Sequence, residues 1–245
     1  MTDHWLILGA SSSIARAFAR EVGRGGAALT LAGRDAADLD ASAADAQLRG
    51  AASARALPCD AADATSRATF LAQAALPGTV LNVFLAIGSM PEQEAMDGDP
   101  TLLAAMIEAN YSGPVALLQG LAGAFEAQRG GRVVIVGSVA GDRGRRKNYL
   151  YGSAKAGLAR YAEGLRARLH PCGATVTLVK PGFVDTAMTW GLPGLFLVAS
   201  PEDCARAILR AAERGVATLY VPFFWRFIML IIQHIPAHVM KKLKF

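Results

Sequence analysis

The sequence predicts a doubly wound α/β fold: a seven-stranded parallel sheet with helices on both faces, plus an apolar C-terminal tail. Three observations carry that prediction. Short apolar runs alternate with longer helical stretches along the 245 residues, the order expected of repeated strand–helix–strand units. The strand at residues 132–136 is a continuous β-branched run, typical of a strand buried on both faces. No linker breaks the series, so residues 1–222 read as one unit. Residues 223–245 read as a tail packed on it, on a partner subunit or on a membrane.

The first strand is expected at residues 5–8, with a helix from Ser13. The second strand is 28–32, with a helix from Ala36. A short third strand at 54–57 precedes a helix over 63–75, and 80–86 is the fourth strand. One long helix is expected from Pro100 to Gln128, kinked or loosened at Gly113-Pro114 because proline removes a helical hydrogen bond. Residues 132–136 form the fifth strand, 151–169 a helix and 175–179 the sixth strand. Pro201 suits the first turn of a helix running to 214, and 216–221 is the seventh strand. In such a sheet the ligand crevice lies beyond the carboxyl ends of the strands, so site residues have to fall there.

Composition narrows the function classes. Hydrophobic residues make up 53% of the chain, enough for a sizeable core. A net charge of +5 is mild at this size and gives no reason to expect nucleic-acid binding. Cys59, Cys172 and Cys204 are far apart and lack metal-ligand spacing, which fits free thiols in a reducing compartment. No signal-peptide pattern precedes the first strand, so the expected location is cytoplasmic.

The first strand runs into Gly9-Ala-Ser-Ser-Ser-Ile-Ala15. A small-residue turn that opens a helix aims N–H groups and the helix dipole at a pyrophosphate. Gly9 fits the tight turn, Ser11, Ser12, Ser13 and Ile14 line it, and Ala15 allows close helix–strand packing. The second strand ends in Gly33-Arg34-Asp35, without the acid that usually bonds a ribose 2′-hydroxyl. A guanidinium pairs with a 2′-phosphate, so NADP(H) is expected over NAD(H). The plainer reading makes Arg34 a solvated helix-start residue and Asp35 an N-cap. Asp60, beside Ala61 after the third strand, is placed to accept from an adenine amino group.

The fifth strand ends in the hydroxyl of Ser138, and thirteen residues later Tyr151-Gly-Ser-Ala-Lys155 opens a helix. Tyr151 and Lys155, four apart, share a helix face. Carbonyl reduction needs a proton donor at the oxygen while a hydride reaches the carbon. A phenol ordinarily titrates at about 10, and a nearby ammonium lowers that. Lys155 is placed to supply the charge and to hold a nicotinamide ribose. Ser138 is placed to stabilise the developing negative charge on the substrate oxygen. Asn110, an amide in mid-helix, is placed to hold a water in a proton relay to Lys155 or simply to bend the helix. After the sixth strand, backbone groups near Val184 and the hydroxyl of Thr186 are expected at the nicotinamide carboxamide or pyrophosphate.

Together Gly9-Ala-Ser-Ser-Ser-Ile-Ala15, Asp60, Asn110, Ser138, Tyr151/Lys155 and Pro181-Gly182-x-Val184-x-Thr186 resemble the single-domain short-chain dehydrogenase/reductase family, in its order and over nearly the whole chain. The resemblance implies a Rossmann-type fold, a nicotinamide cofactor, an Asn110-Ser138-Tyr151-Lys155 tetrad, and a homodimer or homotetramer. Two departures stand out. Ser13 and Ala15 replace the family's second and third glycines, and Leu85-Ala-Ile-Gly88 lacks the two amides usual there, leaving Ala86 and Gly88 beside the cofactor. Asp142-Arg-Gly-Arg-Arg-Lys-Asn148, Tyr220-Val-Pro222 and the basic apolar tail are similar to decaprenylphosphoryl keto-pentose reductases, which act on a keto-sugar borne by a polyprenyl phosphate.

Residues 223–235 contain ten apolar positions, too few for a span that needs about 20. Pro236 follows, then Lys241, Lys242 and Lys244. This composition suits peripheral contact with a membrane or burial in a partner subunit. The segment 188–198, with Trp190, Leu192, Leu195 and Phe196, reads as a substrate lid. The basic cluster at 143–147 either faces a phosphate or is a solvated loop. The expected activity is NADP-linked reduction of an apolar small-molecule or lipid-linked keto-sugar substrate. The alternatives are a generic alcohol dehydrogenase or keto-lipid reductase, and a catalytically silent nucleotide-sensing binding protein.

Overall fold

A computed structural model describes residues 1–191 and 197–243. The strands are β1 (Thr2–Leu8), β2 (Ala28–Ala32), β3 (Ser53–Ala56), β4 (Thr79–Leu85), β5 (Arg132–Val136), β6 (Thr175–Pro181) and β7 (Thr218–Val221). They pair in parallel, in the order β3-β2-β1-β4-β5-β6-β7. The helices are α1 (Ser13–Arg24), α2 (Ala36–Leu48), α3 (Ala64–Gln73), α4 (Gln93–Gly98), α5 (Pro100–Ile107), α6 (Gly113–Gln128), α7 (Tyr149–Leu169), α8 (Pro201–Glu213), α9 (Trp225–His234) and α10 (Ala237–Met240). This is the doubly wound, seven-stranded fold the sequence predicts.

The pleat sorts strand side chains onto two cores. Trp5, Ile7, Leu29, Leu31 and Phe84 point to one face and pack against Phe18 and Val22 of α1, Leu39 of α2 and Ile208 of α8. Leu6, Leu8, Val83, Leu85 and Ile135 point to the other and meet Phe70 of α3, Leu117 and Phe125 of α6, and Leu158 and Leu165 of α7. Strand order reverses at β1, which lies between β2 and β4. The crevice of a doubly wound sheet opens at that reversal. Side chains fix several helix starts: Ser12, Asp35, Asp63, Asp99 and Ser200 each accept a backbone N–H of the following turn.

Several boundaries differ from expectation. β3 starts one residue earlier and β7 two residues later than the sequence pattern places them. The long helix expected over 100–128 is α5, a π-helical turn at Glu108–Ser112, and α6, with the short α4 ahead of it. Pro114 offers no N–H to the Asn110 carbonyl four residues back, and the helix widens into the π turn just ahead of the proline. Gly113 follows because a Cβ would lie 2.4 Å from the Ala61 carbonyl oxygen. α7 begins at Tyr149, two residues early, because Gln93 of α4 accepts the Leu150 N–H at 3.2 Å.

The tail folds back on the sheet. Trp225 and Met229 of α9 are buried against Val139, with Phe183 and Tyr220 beside them. Phe223, Phe227, Leu230 and Ile231 face outward and are exposed. Among the described residues no helix is long and apolar enough to cross a membrane.

Candidate active site

Ser138 follows β5 and caps a 3-10 turn, Val139–Asp142, by accepting the Ala140 N–H at 3.1 Å. Two glycines let this turn sit directly on α7. A Cβ on Gly141 would lie 2.9 Å from the Ala156 nitrogen, and one on Gly152 would lie 2.8 Å from the Ala140 carbonyl oxygen. This approach brings the Ser138 hydroxyl into hydrogen bonding with the Tyr151 phenol. Tyr151 is only 5% exposed. Burial pushes its pKa up to about 12, while the Ser138 hydrogen bond and the Arg145 charge pull it down.

Lys155 is buried one turn along α7, its Nζ 5.8 Å from the Tyr151 ring centroid. It makes long hydrogen bonds, 3.4 Å to the Ile87 carbonyl and 3.5 Å to the Val136 carbonyl, at the ends of β4 and β5. Burial lowers its pKa to about 8. Sequence reasoning assigns the tuning of the phenol to Lys155. In the structure Arg145, from the loop before α7, also acts on the phenol and lowers its pKa.

Asn110 sits in the π turn, fully buried. Its Nδ2 donates to the Ser89 carbonyl at 2.7 Å and to the Met106 carbonyl at 2.9 Å. Its Oδ1 is buried without a partner among the described residues. A Cβ on Gly88 would fall 2.6 Å from that Oδ1 and 3.0 Å from the Lys155 Nζ. Asn110 and Lys155 thus face the same small space, which stays open only because residue 88 is glycine. An unpaired acceptor beside an ammonium is a place where a water or a ligand hydroxyl can bond both.

At the nucleotide end, Gly9 has φ +81, and a Cβ there would lie 2.8 Å from the Ala86 carbonyl. Only glycine lets the turn after β1 meet the end of β4 in this way. Ser12 is the N-cap of α1 and accepts the Ala15 N–H at 3.1 Å, so its oxygen is already engaged. Ser13 and Ile14 open the helix, where first-turn N–H groups have no intrahelical acceptor. The Ile14 side chain goes into the core and Ser11 is exposed. Arg34 is exposed and has no ion pair among the described residues, while Asp35 caps α2. Asp60 accepts the Ala62 N–H at 2.9 Å, turning the loop that carries buried Ala61. These residues fit a dinucleotide: N–H donors at the helix start, a turn no larger residue could make, and an unpaired cation at the tip of β2.

Beyond β6, the Val184 carbonyl accepts from the Thr189 hydroxyl, and the Thr186 N–H donates to Thr189 Oγ1 at 3.2 Å. The groups expected at a carboxamide are therefore already tied into a local turn. Pro181 ends β6. Gly182 underlies the tail, where a Cβ would come 1.9 Å from the Trp225 indole nitrogen. The expected lid lies partly outside the described residues, since 192–196 fall there. Of its described part, Met188, Trp190, Leu197 and Val198 are exposed.

Sequence reasoning missed Gln93, Gly141, Gly152 and the inward turn of Arg145. Glycines close behind Ser138 were the available signal for the tight packing. Gln93 gave none, because it acts across a gap of 57 residues.

Residues 3–193 match the family described as short chain dehydrogenase. The chain is 34% identical over 239 residues to an uncharacterized oxidoreductase of Mycobacterium tuberculosis, covering 97% of this chain and 96% of that one. It is 32% identical over 241 residues to an uncharacterized oxidoreductase of Streptomyces coelicolor, covering 97% and 94%. A solved short-chain dehydrogenase from Sphingobium yanoikuyae, in complex with NADPH, superposes with a TM-score of 0.80 at 23% identity over 96% of this chain and 97% of that one. Fold and relatives define an oxidoreductase of the class that uses nicotinamide dinucleotides. The chain belongs to the short-chain dehydrogenase/reductase family.

Proposed function

We propose that the protein reduces the carbonyl of an apolar or lipid-linked keto-sugar with NADPH, in the manner of the decaprenylphosphoryl keto-pentose reductases. The observation that carries the reading is the meeting of Ser138, Tyr151 and Lys155 at the strand ends, with the phenol buried and bonded to the serine. The cofactor, when bound, supplies the hydride. Tyr151, held protonated near neutrality, gives its proton to the carbonyl oxygen. Ser138, whose oxygen accepts from Ala140, keeps its own proton to donate to that oxygen. Lys155 places positive charge beneath the phenol. Asn110 offers Oδ1 to a water that returns protons toward Lys155. Tyr151→Phe is expected to abolish ketone reduction and keep cofactor binding; surviving turnover sinks the mechanism.

The preference for NADPH rests on exposed Arg34, on the absence of an acid at Gly33 and on the use of Asp35 as a cap. The NADPH held by the Sphingobium protein agrees with it. Arg34→Gln should weaken NADPH binding about tenfold or more and leave NADH nearly unaffected. Wild-type protein binding both equally overturns the preference.

The lipid-linked substrate is supported by Phe223, just ahead of α9, and by Phe227, Leu230 and Ile231 on it, all exposed ahead of Lys241 and Lys242. An apolar helix face followed by lysines suits an anionic bilayer surface. The protein should float with anionic liposomes, and Phe227→Ser with Ile231→Ser should release it. Equal flotation of both forms rejects the membrane contact.

A further inference from the structure

The loop between Ser138 and Tyr151 carries Arg143, Arg145, Arg146 and Lys147, and three of these are accounted for. Arg143 donates to the Ile235 carbonyl at 2.9 Å and ties down the tail. Arg146 and Lys147 stand in solvent. Arg145 alone turns inward: its Nε is buried and has no hydrogen-bond partner among the described residues. A buried donor on a charged group without an acceptor is costly, so such a site is built for something that arrives.

Asp142, the carboxylate that acts on Arg145, does not fill the need. Asp142 binds Lys180 through Oδ1 and accepts the Tyr220 hydroxyl through Oδ2 at 2.8 Å. Its side chain is 3% exposed and that of Lys180 15%, so this pair is closed off. A single carboxylate between two cations leaves surplus positive charge where little water screens it. Asn148, whose N–H donates to the Arg145 carbonyl at 3.2 Å, adds a second orphan, a buried Oδ1 without a donor among the described residues. It heads α7 without capping it. An unpaired N–H of a cation and an unpaired amide oxygen therefore sit on one turn, within Coulombic reach of the proton donor.

We infer that Arg145 and Asn148 form a substrate subsite beside Tyr151 that takes an anionic oxygen group, with a hydroxyl, carried next to the carbonyl undergoing reduction. Arg145 receives the anion and Asn148 the hydroxyl. The inference rests on the carbonyl-reductase reading and narrows its substrate. A plain apolar ketone would bury both orphans unpaired, whereas a keto-sugar phosphate satisfies both.

The test uses full-length protein, NADPH and two alkyl ketones. One bears a phosphate monoester beside the carbonyl, and the other bears a hydroxyl in its place. Wild-type protein should prefer the phosphorylated ketone in kcat/KM. Arg145→Gln should shrink that preference by about tenfold to a hundredfold, the worth of a hydrogen bond to a charged group. Arg145→Lys should recover part of it, and the exposed-site control Arg146→Gln should keep it. If Arg145→Gln does not fold, the partial loss in Arg145→Lys serves as the readout. An unchanged preference in the Arg145 variants, or a wild-type preference for the hydroxyketone, overturns the subsite while leaving the reductase reading intact. If neither ketone is reduced, the reductase reading fails. The subsite is then judged by calorimetric binding of the phosphorylated ketone to NADPH-loaded protein. Binding lost in Arg145→Gln keeps the subsite, and no binding or equal binding removes it.

Discussion

The Lys155 ammonium lies one helical turn from Tyr151, 5.8 Å from the centroid of its ring, and its only hydrogen-bond acceptors among the described residues are the carbonyls of Ile87 and Val136. No carboxylate pairs with this charge among the described residues, and burial lowers its pKa to about 8. The phenol, also buried, rises to about 12. The two groups therefore titrate in reversed order from free tyrosine and lysine. Through the neutral range both keep their protons, which suits reduction. The pH profile of kcat/KM for ketone reduction should be level below about pH 8 and fall above it as Lys155 loses its charge. A profile flat to pH 10 removes Lys155 from the chemistry.

The same burial has a cost in stability, and its sign is definite. The folded pKa of Lys155, about 8, lies below its ordinary 10.5. The unfolded chain therefore binds the proton more tightly, and folding is penalised at every pH below about 8. The penalty fades as pH climbs from 8 to 10.5. At neutrality it is on the order of 3 kcal/mol. Lys155→Met should abolish turnover yet raise Tm at pH 7 by roughly 5 °C, with the advantage narrowing above pH 8. A lower Tm for the methionine variant at pH 7 contradicts this account.

Gly88 holds open the space between Asn110 and Lys155. Gly88→Ala would set a methyl 2.6 Å from Asn110 Oδ1, and Asn110 is fixed by two carbonyl acceptors and cannot easily give way. Overpacking of this kind costs about 1–3 kcal/mol. Turnover should fall at least about tenfold, while binding at the turn ahead of α1 changes little, because Gly9 in that turn meets Ala86 and Ile87 rather than residue 88. Unchanged kcat would mean that the space between Asn110 and Lys155 has no part in the reaction.

Much of this was legible in the sequence because strands buried on both faces have no polar alternation to blur them. Residues 28–32 and 132–136 are strands with the bounds the pattern gives. Gly9, Ser138, Tyr151 and Lys155 were legible too, since each sits at a strand end or on one helix face. What stayed hidden acts across distance. The π turn arises where Pro114 withholds a hydrogen bond from a carbonyl four residues back, and periodicity does not register a widened turn. The start of α7 is set by Gln93, on another helix. The basic loop reads as one cluster in sequence, yet its four cations divide among tail, solvent and site according to the direction each side chain takes.

Gly182 joins the end of β6 to the tail. The Trp225 indole lies over the bare face of this glycine and stands edge-on to Phe183, with centroids 5.2 Å apart and planes at 89°. With Met229, Trp225 forms the buried side of α9, so the outward stripe of Phe227 and Ile231 is oriented by this packing. Gly182→Ala would put a Cβ 1.9 Å from the indole nitrogen, and neither the strand end nor the packed ring can absorb that overlap. The indole should leave its seat and α9 should loosen, at a cost of about 1–3 kcal/mol. Limited proteolysis should then cut within residues 223–236, and tryptophan emission should shift to the red. Because Gly182 heads the segment that reaches Val184 and Thr186, KM for NADPH should rise in the same variant. Protease resistance and emission equal to wild type would mean that the tail is anchored elsewhere.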